Sequence, residues 1–284
     1  GGGVIGCEFA TVYGELGIRT TVVEMFDRLL PTLDRDTSQA VTESLKERGV
    51  DVRTGTKIIT MKATKKTVSA DLEGGETLKA ARALIAVGRV ANVEDLGLED
   101  AGVELQGRII RVDDACRTSA DGVYAVGDCA AALQYAHLAS RMGAIAADNA
   151  TGHAVRDPLA VVPQVVYTHP EIAMVGLTEA EARATGRDIR VARFPLASTG
   201  MARAFGDTAG EVKLIAEKAH GEILGAVVIG QHAADVIEEL TIAIRNELTV
   251  EELAHTIHPH PTFVEAVHEA AELWLGFPIH TTAG

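Results

Sequence analysis

The sequence predicts an α/β chain, and three observations carry that prediction. Short β-branched or apolar runs alternate with segments of helical spacing along the first 88 residues. Aromatics are only 4% of the 284 residues while hydrophobic residues make up 47%. The core must therefore be built from Val, Ile, Leu and Ala, the usual filling of buried sheets. A glycine-rich start, Gly1-Gly2-Gly3-Val4-Ile5-Gly6, opens directly onto a helix candidate, as at the turns that join strand to helix in α/β folds.

Residues 4–16 are expected to be a helix leaving the glycines, and 20–24 (Thr-Thr-Val-Val-Glu) a β-branched strand. Residues 36–48 have helical spacing, with Ala40, Val41 and Leu45 on one face and Gly49 as the stop. A short strand follows at 50–53, a small antiparallel sheet over 57–72 and 77–81, and an apolar strand over 83–87 ending at Gly88. This alternation predicts a three-layer α/β domain over 1–88. Residues 89–157 change character, with a strand at 107–112, a buried strand at 122–128 ending on Asp128, and a helix rich in small residues at 135–150. Pro158 and Pro163 mark a boundary. Residues 158–284 read as α+β, with strands at 164–167, 189–194, 211–217 and 223–229 and helices at 179–185, 232–246, 250–256 and 264–275.

A formal net charge of −14 argues against nucleic acid or an anionic membrane as partner. The three cysteines, Cys7, Cys116 and Cys129, form no C-x-x-C and no zinc spacing, and their odd number fits no disulfide framework. They read as reduced thiols of a cytoplasmic protein. No apolar run approaches the roughly 18 residues of a membrane span, and no signal peptide is visible. The chain begins inside what reads as a motif, so it is expected to be the C-terminal part of a longer product.

That motif is G-x-G-x-x-G at Gly1, Gly3 and Gly6. Glycines there permit a tight turn, close approach of a pyrophosphate and close helix–strand packing, while the helix N-terminus offers unpaired N–H groups to phosphate. Glu24 ends the following strand 18 residues after Gly6, where an acid hydrogen-bonds the ribose hydroxyls. A carboxylate repels a 2′-phosphate, so residues 1–88 read as a Rossmann-like NAD-binding domain rather than an NADP-binding one. Arg28, four residues on, reads as a surface arginine. Four histidines cluster at 255, 258, 260 and 268, but prolines interrupt their helical spacing and no cysteine is near in sequence. No metal is expected, and composition alone favours a structural role for them.

Five segments occur in one order: Gly1 to Glu8 with Glu24; Val87-Gly88-Arg89-Val90-Ala91-Asn92; Thr118 to Asp128; Tyr167-Thr168-His169-Pro170-Glu171; and His258-Pro259-His260-Pro261-Thr262-Phe263-Val264-Glu265. With them the chain resembles the pyridine nucleotide–disulfide oxidoreductases over essentially its whole length, and within these the branch that oxidises dihydrolipoamide. The resemblance implies a partial FAD-binding domain over 89–157 and an α+β dimerisation domain over 158–284. It implies NAD contacts from Gly1, Gly3, Gly6, Glu8, Glu24, Ile58 and Gly88, and FAD contacts from Asp128, at the ribitol, and from Gln134, Tyr135, Ala136 and His137. It assigns His260 as the catalytic acid–base group and Glu265 as its orienting carboxylate, and leaves His258 as a second family histidine of less certain role.

The chemistry needs such a pair. A thiol with a reference pKa of about 8.5 must lose a proton before attacking a disulfide, imidazole titrates near neutral pH, and a carboxylate on its other nitrogen fixes the tautomer. Pro261 permits a cis peptide bond after His260. The implied protein is a homodimer in which the histidine serves the disulfide of the other subunit. Its implied substrate is the lipoyl domain of a 2-oxoacid dehydrogenase or glycine cleavage complex, with electrons passing through a disulfide and FAD to NAD. A glutathione- or mercuric-reductase-like enzyme of the same fold, or a truncated NAD-binding and dimerisation module, are the alternatives. Ala91 stands where the family has proline, and Asp235 where it often has Glu. The sequence holds no second G-x-G-x-x-G and no C-x-x-x-x-C, so this stretch by itself is expected to be inactive in electron transfer.

Overall fold

Helix α1 (Val4–Glu15) leaves the glycines with Gly3 as its N-cap and buries Gly6, Cys7, Ala10 and Thr11 on one face. Close packing there depends on missing side chains, since a Cβ on Gly6 would lie 1.9 Å from the Gly1 carbonyl oxygen and one on Gly1 2.1 Å from that of Ala86. The computed structural model that shows this describes residues 1–282. Strand β1 (Thr21–Val23) pairs in parallel with β2 (Asp51–Arg53), connected through α2 (Arg35–Glu47), which buries Val41 and Leu45 as the spacing anticipates. Strands β3 (Ile58–Ala63), β4 (Val68–Leu72) and β5 (Thr77–Ala80) form the expected antiparallel sheet.

Two expected strands are not strands. Residues 83–87 find no ladder partner among the described residues, and Leu84, Ile85 and Val87 are 48%, 63% and 79% exposed. Apolar composition marks a segment for burial, but a strand exists only through a neighbour that takes its N–H and C=O groups. Residues 122–128 carry a single bridge, Arg117 to Tyr124, and run into a 3-10 turn at Gly127–Cys129. Only Ala125 and Gly127 are buried there. The strand expected at 107–112 is reduced to β7 (Ile109–Ile110), which pairs with β6 (Leu105–Gln106) as a small hairpin. Helix α3 (Ala136–Ala150) forms as expected.

The C-terminal part is a five-stranded antiparallel sheet in the order β10-β11-β12-β9-β8, from β8 (Gln164–Val166), β9 (Ile172–Gly176), β10 (Ile189–Pro195), β11 (Glu211–Glu217) and β12 (Ile223–Ile229). Every residue of β12 is buried. Helices α4 (Glu179–Ala184), α5 (Gly200–Phe205), α6 (Ala233–Arg245), α7 (Val250–Ala254) and α8 (Glu265–Leu275) complete it. Helix α8 is clamped on β10: Trp274 Nε1–H donates to the Arg190 carbonyl at 2.9 Å, Arg190 donates to the Trp274 carbonyl at 2.6 Å, and the guanidinium lies 5.2 Å over the indole. Such a cation–π contact adds about 0.5–1 kcal/mol even where exposed.

Residues 1–88 and 163–284 form one compact unit and 89–162 another. In the first, Leu29, Leu30, Val41 and Leu45 share a core with Val166, Ile172, Val227 and Ile229. The second has its own core around Leu138, Met142 and Ile145.

Candidate functional site

In the larger unit the glycine loop, strand β1 and the segment before β3 meet. Glu24, just past β1, is buried, and its Oε2 accepts from the Gly2 N–H at 2.6 Å while Oε1 accepts from the Phe26 N–H at 2.9 Å. The Glu24 carbonyl accepts from the Thr56 N–H at 2.9 Å, which brings the segment of Ile58 to the same place. Gly88 lies two residues after Ala86, whose carbonyl abuts Gly1. Gly3 differs from Gly1 and Gly6, because a Cβ added to it would meet nothing within 4 Å. Packing therefore does not demand glycine at Gly3; that open space at a helix N-terminus fits the close approach of a pyrophosphate. Glu8 accepts from the Tyr167 N–H at 2.9 Å, so its carboxylate is engaged by backbone that leads into the C-terminal sheet. Arg28, read as a surface residue, donates to the Pro31 carbonyl at 2.7 Å, and its Nε is buried without a hydrogen-bond partner. Cys7 lies under the loop with its thiol pushed up to about 12 by burial and then by the charge of Glu24, an inert structural thiol.

In the smaller unit, the Asp128 carboxylate pairs with Arg89 at 3.0 Å, and Arg89 also donates to the Gln134 carbonyl at 2.8 Å. Both side chains of the pair are half exposed. Tyr135 is the N-cap of α3, Ala136 its first residue, and the rings of Tyr135 and His137 stack at 5.2 Å. An acid and, near it, a helix N-terminus without a side-chain cap fit a polyhydroxylated, electron-accepting group such as a flavin. Arg89, which ties Asp128 to Gln134, was legible only as a motif residue.

His260 and Glu265 come together in the turn that enters α8. The His260 Nδ1 lies 2.7 Å from Glu265 Oε1, and Glu265 Oε2 accepts from the Thr262 N–H at 2.7 Å. Both carboxylate oxygens are thus in use, and the acid sits in the first turn of α8, where a negative charge is favoured. The His260 side chain is 75% exposed, and its Nε2 has no hydrogen-bond partner among the described residues. Nδ1 donates to an acceptor, so the Nε2 lone pair is left open as a base. Gly200, at the start of α5, lies beside the ring, and the His260–Pro261 peptide is cis. Sequence reasoning missed Glu239 on α6, 2.9 Å from His258 Nε2; nothing local in the sequence announces a contact 19 residues away.

Among the described residues no group of three or more His, Cys, Asp or Glu could hold a metal, and no helix is long and apolar enough to cross a membrane. A cleft of about 700 Å³, lined by Asp36, Glu43, Arg193 and Glu211 among others, contains none of the expected site residues.

Residues 1–143 match the pyridine nucleotide-disulphide oxidoreductase family, and residues 162–271 the dimerisation domain of the same family. The chain belongs to the pyridine nucleotide–disulphide oxidoreductases. Among curated relatives of this family, a dihydrolipoyl dehydrogenase of Bacillus subtilis is 40% identical over 288 residues, covering 99% of this chain and 60% of that protein. One from Thermus scotoductus is 41% identical over 279 residues, covering 96% and 60%. The chain thus spans about 60% of the length of the curated relatives it matches. Solved structures of the family include LpdA of Mycobacterium tuberculosis (35% identity, TM-score 0.88, covering 95% of this chain and 59% of that one). They also include the HOCl-induced flavoprotein disulfide reductase RclA of Escherichia coli (29% identity, TM-score 0.90, covering 96% and 63%).

Proposed function

We propose that this chain supplies the NAD loop, part of the flavin site and the acid–base histidine of a homodimeric, cytoplasmic dihydrolipoyl dehydrogenase. Residues 1–88 bind NAD, 89–157 complete the FAD site and 158–284 form the dimer interface. The substrate is a dihydrolipoyl group on the lipoyl domain of a 2-oxoacid dehydrogenase or glycine cleavage complex. The reading rests on one observation above the others: His260 is oriented through Nδ1 by Glu265 and keeps Nε2 open.

His260 Nε2 takes the proton of a substrate thiol, and the resulting thiolate attacks a disulfide of the other subunit. Glu265 stabilises the imidazolium that forms and returns the ring to the same tautomer when the proton leaves. Exposure of the ring suits a substrate carried on a flexible arm of another protein. FAD, when bound, supplies the two-electron relay between the reduced disulfide and NAD. Asp128 would hold its ribitol hydroxyls and the α3 N-terminus would face its ring. Gly1, Gly3 and Gly6 would seat the NAD pyrophosphate. Glu24 would accept from the adenosine ribose, and its charge selects against a 2′-phosphate.

The likeness to RclA favours one second reading, a reductase of another disulfide. The full-length protein, assayed with dihydrolipoamide and NAD and separately with NADPH and oxidised glutathione, separates them. Reduction of NAD by dihydrolipoamide supports the dehydrogenase; turnover only in the second assay overturns it.

A further inference from the structure

Two residues before His260, a second histidine makes hydrogen bonds of a different kind. The His258 side chain is only 6% exposed. Its Nδ1 lies 2.8 Å from the Thr256 carbonyl oxygen and its Nε2 2.9 Å from Oε1 of Glu239 on α6. A carbonyl oxygen can only accept, so Nδ1 must carry a hydrogen; an ionised carboxylate can only accept, so Nε2 must carry another. The groups facing the ring are Glu239 from α6, the Thr256 carbonyl of its own loop, and the His268 ring from α8, 5.3 Å away. His268 Nδ1 is buried without a hydrogen-bond partner, so no further acceptor draws on His258.

We propose that His258 is a positioning residue for His260: a doubly protonated ring, fixed between Thr256 and Glu239, that pins the loop carrying His260 to α6. The proposal rests on the reading of His260 as the acid–base group. The two rings divide the labour by their hydrogen bonds. His260 is held through one nitrogen and cycles a proton on the other. His258 is held through both and cannot release a proton without breaking the bond that holds the loop.

The test uses the full-length protein labelled with ¹⁵N-histidine. Both His258 ring nitrogens should carry hydrogen, as their two acceptors require. Glu239→Gln keeps the shape and offers an N–H to Nε2, so the ring should fall to one hydrogen while most of kcat is retained. Glu239→Ala removes the pin and should lower kcat for dithiol oxidation about tenfold or more, the scale of a misplaced catalytic group, with NADH-to-quinone turnover and the KM for NAD unchanged. A ring that merely fills space would lose thermal stability in both variants without that split between reactions. A single ring hydrogen on His258 in an active wild-type enzyme overturns the proposal, as does an undiminished kcat in Glu239→Ala. If the alanine variant does not fold, the wild-type spectrum and the glutamine variant decide. Absence of dithiol oxidation in the wild type would instead overturn the proposed function, leaving the hydrogen count to be judged by the spectrum alone.

Discussion

Replacing Lys213 by Met should be costly although the residue lies outside the expected site. Lys213 is on β11 and only 1% exposed. Its Nζ lies 2.6 Å from Asp34 and 3.0 Å from Asp36, both at the start of α2, and 3.4 Å from Glu179 at the start of α4. Arg193 on β10 pairs with Asp36, Glu179 and Glu211. Removing one partner of a buried ion pair costs about 3–5 kcal/mol because the other charge stays buried. Here Asp36 and Glu179 would keep Arg193 and are partly hydrated, while Asp34, 10% exposed, would be stranded without a cation, keeping the Glu179 N–H at 3.2 Å as a donor. One stranded carboxylate places the loss near the lower end, about 3 kcal/mol, a fall in Tm of roughly 6–12 °C for a chain of this size. Urea and thermal unfolding at pH 7 measure it. Lys213→Met with Asp34→Asn should recover about 1 kcal/mol or more, since contacting residues couple by about 0.5–3 kcal/mol. A single-variant loss below about 1 kcal/mol would refute the reasoning.

The acid limb of stability adds a check. Burial pushes the Asp36 and Glu179 carboxyls up, but hydrogen bonds and the charges of Lys213 and nearby arginines outweigh it and hold both below the usual range. Their contribution is therefore present above the unfolded carboxylate pKa and lost as pH falls through the lower folded values; Lys213→Met should flatten that fall.

Gly3→Ala should weaken NAD binding with little change in Tm, since its Cβ would stand in open space, whereas Gly6→Ala should destabilise the fold by about 1–3 kcal/mol through its 1.9 Å clash with Gly1; equal effects on Tm would contradict the distinction. Glu24→Ala should weaken NAD binding more than FAD retention, because it removes the proposed ribose acceptor; isothermal titration showing unchanged NAD affinity would leave Glu24 only its structural role as acceptor of the Gly2 N–H. Cys7, with its thiol near 12, should resist iodoacetamide at pH 8 in the folded protein and react once unfolded, as mass spectrometry would show; rapid native labelling would contradict its burial.

Periodicity made α1, α2, α3, α6 and α8 legible, because each buries one stripe of apolar or small residues; β12 was legible as an uninterrupted apolar run, and β11 from Val212 and Leu214–Ala216 on either side of Lys213. It failed where structure depends on a distant neighbour. Residues 83–87 have the composition of a strand and no ladder partner among the described residues. Strand β9, Ile-Ala-Met-Val-Gly, went unread between two turns, although Ile172 to Val175 are all buried. Helix α5 was missed too, although Thr199 caps its start and Gly206 ends it in the left-handed region, a pair of signals visible in the sequence. The site divides the same way. His260 and Glu265 are five residues apart and meet through one turn, so a local pattern could pair them. The Glu239 bond to His258 and the Lys213 cluster join residues 19 and 179 positions apart, which no local pattern encodes.

The account stands or falls on what His260 does. In the full-length protein, His260→Ala should slow dithiol oxidation by about 10²–10⁴-fold, the span for loss of a general base, while NADH-to-quinone turnover, which needs no thiol proton moved, stays near the wild-type rate. Equal loss in both reactions, or no loss in the first, would contradict the assignment of the open Nε2 as the base.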